Sequence, residues 1–277
     1  AGSLYGTVTY PATYLVAEMV GNSFGLFMLI IIIFSSGELV WRERDNKVDQ
    51  IIDALPTPDW LLPVARLLAL AGVLFVMALL MTTCGLALQI VKGYYRFEPI
   101  IYVVELFVFS LSSQLVVAVL ALFFHALVRS KTTGHVLMIL FYVSKLLMVR
   151  LDLEHPLYRF GSQYDNEYSD MNKWGHLFEP TILFGLYWAL IAGVLMVAVV
   201  LIGTRGREDR WRLRLRGARQ RLTWGLFGAV VALLAGALGL GAFLFYNTNR
   251  LNRFRDSVTQ RHLRADYERE YKSLATL

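Results

Sequence analysis

Residues 24–80 read FGLFMLIIIIFSSGELVWRERDNKVDQIIDALPTPDWLLPVARLLALAGVLFVMALL, and this stretch decides what kind of molecule the chain forms. An apolar run that begins near residue 17 ends at Gly37. Dense charge follows for about two helical turns, an apolar stripe returns, and Pro56 and Pro58 close it before a second apolar run opens at Leu61. Each run approaches or exceeds the roughly 20 residues that carry a helix across a bilayer. The charged interval between them is too short to be a domain.

The rest of the chain repeats this pattern. Of 277 residues, 56 % are hydrophobic and only 17 % charged, with mean hydropathy +0.51; a soluble domain carries about a quarter of its residues charged. Apolar runs at roughly 17–37, 61–90, 99–127, 134–150, 179–203 and 224–246 predict six spans. In lipid the backbone must satisfy itself, and these runs lack strand alternation, so helices are expected. The predicted fold is an all-α polytopic transmembrane bundle. The single cysteine, Cys84, excludes a disulfide framework. The opening AGSLYG has no basic region leading into a signal peptide, which points to a processed chain or a piece of a longer one.

Orientation follows from Lys and Arg in the short loops. Loops 41–59, 128–133 and 204–223 hold thirteen: Arg42, Arg44, Lys47, Arg129, Lys131 and eight arginines from Arg205 to Arg221. The opposite loops, 91–98 and 151–178, hold four: Lys92, Arg96, Arg159 and Lys173. The first side is therefore expected to be cytoplasmic, with both termini outside. The pI near 9.4 is explained by topology and contact with anionic lipid, since the basic residues sit at the ends of apolar runs; no nucleic-acid partner is expected.

Within the opening stretch, Glu38 precedes Arg42 and Glu43 precedes Lys47 by four residues, the spacing of helical ion pairs. From Trp41 the apolar positions run through Val48, Ile51, Ile52 and Leu55, one stripe on an otherwise charged helix. The prolines stop it, and Asp59 is placed to cap the next helix. This predicts a short amphipathic helix, about 38–58, between two spans. Physics alone leaves two readings of it: a helix lying in the headgroups, or a docking element for a cytoplasmic partner.

Glu43-Arg44-Asp45, Ile51-Ile52-Asp53, Leu55-Pro56 and the later Arg66 resemble the segment after the second span in ABC exporter permeases of the second class. The pattern departs at Asn46-Lys47, where that family usually has Gly-Thr. Tyr246-Asn247-Thr248-Asn249 and Ala265-Asp266-Tyr267-Glu268 are similar to the sequence after the last span in a bacterial subgroup fused to a periplasmic zinc-aminopeptidase-like domain. The resemblance implies that residues 38–58 are a coupling helix, with Glu38, Arg42, Glu43, Arg44, Asp45, Asp49 and Asp53 facing a cytoplasmic ABC ATPase subunit. It further implies a second permease half or homodimer partner, and ATP and magnesium held on the ATPase rather than here. On this reading residues 1–246 are the permease domain, and 247–277 an extracytoplasmic helix leading toward a further domain.

No G-x-x-x-x-G-K-[ST] and no H-E-x-x-H occurs, so neither a phosphate cradle nor a zinc-peptidase helix is expected within this chain, and no enzymatic chemistry. The five histidines show no ligand spacing; His125 and His135 flank the loop at 128–133, where hydrogen bonding is the expected role. Ionisable residues inside spans are functional candidates because burial is costly. Glu105 and Lys145, with Gln114 in the polar patch Ser110, Ser112 and Ser113, are candidates for lining a translocation path. The plain alternative is that Lys145 reaches the headgroups, Glu105 is paired structurally, and the patch joins helices. Gly228, Ala232 and Gly236 recur every four residues, a close-packing face that needs a partner helix inside this chain or on a second permease half. The expected function is the transmembrane subunit of an ATP-driven exporter in a bacterial inner membrane; the rival is a non-transporting anchor or scaffold for a periplasmic peptidase-like domain or a larger membrane complex.

Overall fold

The computed structural model describes residues 3–4, 7–8, 10–48, 51, 54–163, 168–203, 211–252 and 254–272. Six helices are long and apolar enough to cross a membrane: α1 (Thr13–Asp45), α2 (Leu61–Val91), α3 (Pro99–Leu127), α4 (Lys131–Arg150), α5 (Phe178–Ile202) and α7 (Trp224–Leu251). Two shorter amphipathic helices accompany them, α6 (Trp211–Arg221) and α8 (Ser257–Tyr271). Near the N-terminus β1 (Ser3–Leu4) pairs antiparallel with β2 (Thr7–Val8), Ser3 opposite Val8. The chain is an all-α, multi-pass membrane bundle.

Local chemistry sets the helix ends. Ser130 caps α4 by accepting from the Thr133 amide, Thr223 caps α7 through the Leu226 amide, and Asp256 caps α8 through the Thr259 amide at 2.9 Å. Pro99 opens α3, where a missing N–H costs nothing. Lys47, Gly93 and Asp152, each just past a helix end, take positive φ (57°, 75° and 57°) and turn the chain out.

α3 is the hub. Half of its most apolar window is buried inside the bundle, against 6 % for α7, although their hydropathies are 2.3 and 2.2. Its faces meet α1, α2, α4 and α5, and Ala118, Ala121 and Leu122 pack with Ile32, Leu70, Leu74 and Met138 in the main core. α7 instead sits at the edge, against α5. Residues 103–110 of α3 and 246–251 of α7 are π-helical, so the expected boundary at 246 falls inside a continuing helix.

Two expectations change here. No new helix begins after Gly37: α1 runs unbroken to Asp45, and the break comes at Asn46-Lys47. Gly37 is tolerated mid-helix because the His135 ring fills the space a Cβ would take. The charges of residues 38–45 thus extend a span. Past the break, Ile51 and Ala54 are helical; Asp49 and Asp53 lie outside the described residues. Trp41 also leaves the expected outer stripe. It is 7 % exposed and turned into the bundle, whereas Val48, Ile51 and Leu55 are exposed.

Candidate functional site at the basic end of the bundle

The ends of α1, α3 and α5 and the starts of α2, α4 and α7 gather at one face with the arginine-rich α6. The predicted one-turn ion pairs give way to links between elements. Glu38 pairs with Lys131 at the start of α4. Glu43 accepts from Arg66 of α2 at 2.6 Å. Asp59 reaches Arg221 of α6 at 3.4 Å, with Trp60 in the N-cap position of α2. The reason is geometric: α1 continues past Gly37, so its acidic side faces neighbouring helices that offer better-placed cations than the next turn does. Arg44 lies over the Trp41 ring at 5.1 Å. Arg42 and Asp45 are exposed at the tip of α1.

Beneath this rim lies a feature that helical spacing did not reveal. Trp41 Nε1 donates to His125 Nδ1 at 3.2 Å, and the His125 and His135 rings meet edge to face at 5.1 Å. Gly37 of α1 and Gly134 of α4 leave the room these rings occupy. Among the described residues no group of three or more His, Cys, Asp or Glu is arranged to hold a metal ion. The pair is packing with polar edges, and the signal for it was two glycines opposite two histidines.

The candidate path residues each have different neighbours. Glu105 lies in the π-helical stretch of α3 and accepts from Trp174 Nε1 at 2.5 Å. Lys145 of α4 stands over the Phe141 and Tyr142 rings at 6.0 and 5.9 Å. Gln114 keeps a buried Oε1 without a hydrogen-bond partner. The serines nearby behave as glue: Ser113 donates to the Gly161 carbonyl at 2.9 Å, and Gln163 donates to Ser112 and the Phe109 carbonyl at 3.1 Å.

The small-residue face of α7 finds little of its partner within this chain. Gly228 and Ala232 are exposed; Gly236 alone of the three meets α5, at Leu190. The contact with α5 is instead made by Leu233 on Gly193 and by Gly241 under Tyr187, at 3.3 and 3.0 Å from a Cβ position. Within the chain α7 packs through an adjacent stripe, and the Gly228–Ala232 side is left exposed.

At the opposite end several links are neutral hydrogen bonds. Gln89, fully buried, donates to Thr13 Oγ1 and the Pro11 carbonyl and accepts from the Tyr102 hydroxyl at 3.0 Å. Gly85 lets Tyr102 approach, its Cβ position being 2.7 Å from the hydroxyl. His155 bonds Thr248 Oγ1 at 3.0 Å and meets the Phe254 ring edge to face at 4.7 Å, which ties loop 151–177 to the end of α7. Burial holds the His155 pKa below its usual value. Glu154 accepts from the Ser257 amide at 2.8 Å and seats α8.

Compared with known proteins, the chain matches no family model, no curated protein and no solved structure.

Proposed function

We propose that this chain is a transmembrane subunit of an ATP-driven ABC exporter, driven by a separate cytoplasmic ATPase and working by alternating access with a second permease half or a second copy. The observation that carries this reading is the Glu43–Arg66 bridge, which ties the end of α1 to the start of α2 across the loop at 46–60. A partner pressing on that loop loads both spans together. Arg42 and Asp45 offer exposed charge for docking, and Val48, Ile51 and Leu55 offer exposed apolar surface. The Lys/Arg asymmetry supports a cytoplasmic position for this face, and a bacterial inner membrane is the setting this reading assumes.

The test is co-purification and ATPase turnover with a nucleotide-binding subunit. Glu43→Arg/Arg44→Glu is expected to lower turnover several-fold, and Arg42→Glu/Asp45→Lys to release the ATPase. If both pairs of reversals leave binding and turnover at wild-type levels, the coupling role is wrong. The seating of α8 by Glu154, beside the His155 link to the end of α7, favours a second reading, a non-transporting anchor for a peptidase-like domain outside the membrane. On that reading no ATPase co-purifies with the wild-type chain.

A further inference from the structure

Away from the basic end, two cations stand together. Lys145 of α4 is close enough to Arg159, in the loop that follows, for their charges to repel. Aromatic packing brings them there. Phe141, one turn before Lys145, meets the Phe160 ring at 6.0 Å, and Phe160 meets Trp188 of α5 at 5.0 Å. Gly161, at φ 71°, lies against Val116 and Val117 of α3, and its carbonyl accepts from Ser113. The segment carrying Arg159 is therefore held beside α4.

Among the described residues neither cation joins an ion pair. Of the acids nearby in sequence, Glu154 accepts from the Ser257 amide, and Asp152 is exposed at its left-handed turn. Lys145 has the Phe141 and Tyr142 rings, at 6.0 and 5.9 Å, the outer limit of cation–π attraction. Arg159 keeps its Nε buried without a hydrogen-bond partner. Like charges at an apolar border repel more strongly than in water, and an anion between them replaces one repulsion with two attractions.

The position of the pair favours one kind of anion. Lys145 lies five residues before the end of α4, about 7 Å along the helix axis, and a lysine at that depth reaches the headgroups. Around it Val143, Leu146, Leu147 and Val149 are exposed, as suits a surface facing acyl chains. A small soluble anion must leave water to enter this border, whereas a lipid phosphate already lies along it. We propose that Lys145 and Arg159 together clamp the phosphate of an anionic phospholipid, in the leaflet away from the basic end. The guanidinium grips two oxygens and the ammonium adds a point charge. The proposal is independent of whether the chain transports anything.

The test uses the purified chain in detergent, with native mass spectrometry to count retained dioleoylphosphatidylglycerol or dioleoylphosphatidylcholine. A parallel thermal-unfolding series uses inorganic phosphate at constant ionic strength. Wild type is expected to retain phosphatidylglycerol over phosphatidylcholine. Lys145→Gln and Arg159→Gln should each weaken that retention about tenfold, and the double variant by less than the product, because both act on one phosphate. Arg150→Gln, at the exposed end of α4, should change little. Any lipid held at the basic end is common to wild type and variants and drops out of the comparison. Without lipid, Lys145→Gln removes a repulsion, so its unfolding midpoint should equal or exceed that of wild type. Stabilisation by inorganic phosphate that Lys145→Gln abolishes, without lipid retention, keeps the anion site but overturns the lipid source. Equal retention of the two lipids with no phosphate effect overturns the proposal, as does equal weakening by Lys145→Gln and Arg150→Gln. If Lys145→Gln does not fold, Arg159→Gln decides: weaker retention supports the site, and unchanged retention rejects it.

Discussion

The two ends of this bundle are closed by different chemistry. At the basic end, α1 is tied to α4, α1 to α2, and the loop before α2 to α6, by the ion pairs Glu38–Lys131, Glu43–Arg66 and Asp59–Arg221. At the other end, Gln89, Tyr102, Thr13, Ser113, Gln163 and His155 make neutral hydrogen bonds, several of them fully buried. Ion pairs near water contribute little and exchange partners readily, and salt screens them. A buried amide or hydroxyl that loses its partner has no solvent to turn to. One end is therefore built to rearrange and the other to hold.

The largest effect should come from beneath the charged rim, where the contrast ceases to apply. A Cβ at Gly134 overlaps the His125 ring, so Gly134→Ala should cost about 1–3 kcal/mol. The readout is the unfolding midpoint in detergent, compared with Gly72→Ala, whose Cβ would meet open space. Equal midpoints would show that the histidine pair gives way freely and that the movable zone reaches deep into the bundle.

Next comes the holding end. Gln89→Leu strips the Tyr102 hydroxyl and Thr13 of their shared partner and should cost about 1–3 kcal/mol, unchanged by salt. A loss that shrinks in high salt would erase the distinction between the two ends.

The third prediction concerns pH. Burial lowers the His155 pKa from its usual 6.5, so folding favours the neutral ring. Because the unfolded chain binds that proton more tightly, the stabilisation is complete above about pH 6.5 and is lost as pH falls through the lowered value. Amide exchange in residues 151–177 and α8 should speed up on acidification, while exchange around Gln89 should not. His155→Gln should flatten the dependence.

The smallest effect belongs to the rim. Glu38 is exposed, so Glu38→Gln, Lys131→Gln and the double variant should unfold within error of wild type, and any coupling in that cycle should vanish in salt. A coupling as large as the Gln89 loss would place a holding contact at the end assigned to movement.

Much of the fold was legible in the sequence because lipid punishes unsatisfied backbone; apolar length alone located all six spans, α3 to the residue. What hydropathy could not do was rank them. α3 and α7 are equally apolar, yet one is the hub and the other the edge, since lipid tails are as hospitable as a neighbouring helix. The charged cluster at residues 38–45 was legible as a group, but its partners were not: spacing sees one turn ahead, whereas Lys131 and Arg66 arrive from other helices. Gln89 passed unnoticed as one polar residue inside an apolar run, although a buried amide there demands partners. Gly228 and Ala232 show the converse, a regular pattern that no helix of this chain covers.

The continuity of α1 has a mechanical consequence. Thirty-three helical residues make a rod about 50 Å long, against a hydrocarbon layer of about 30 Å. With no joint between Thr13 and Asp45, a twist applied at the charged tip must reappear at the far face, where the Gln89 lock acts as a bearing. Gly37, the one place where such a rod is expected to flex, is splinted by the imidazole of His135.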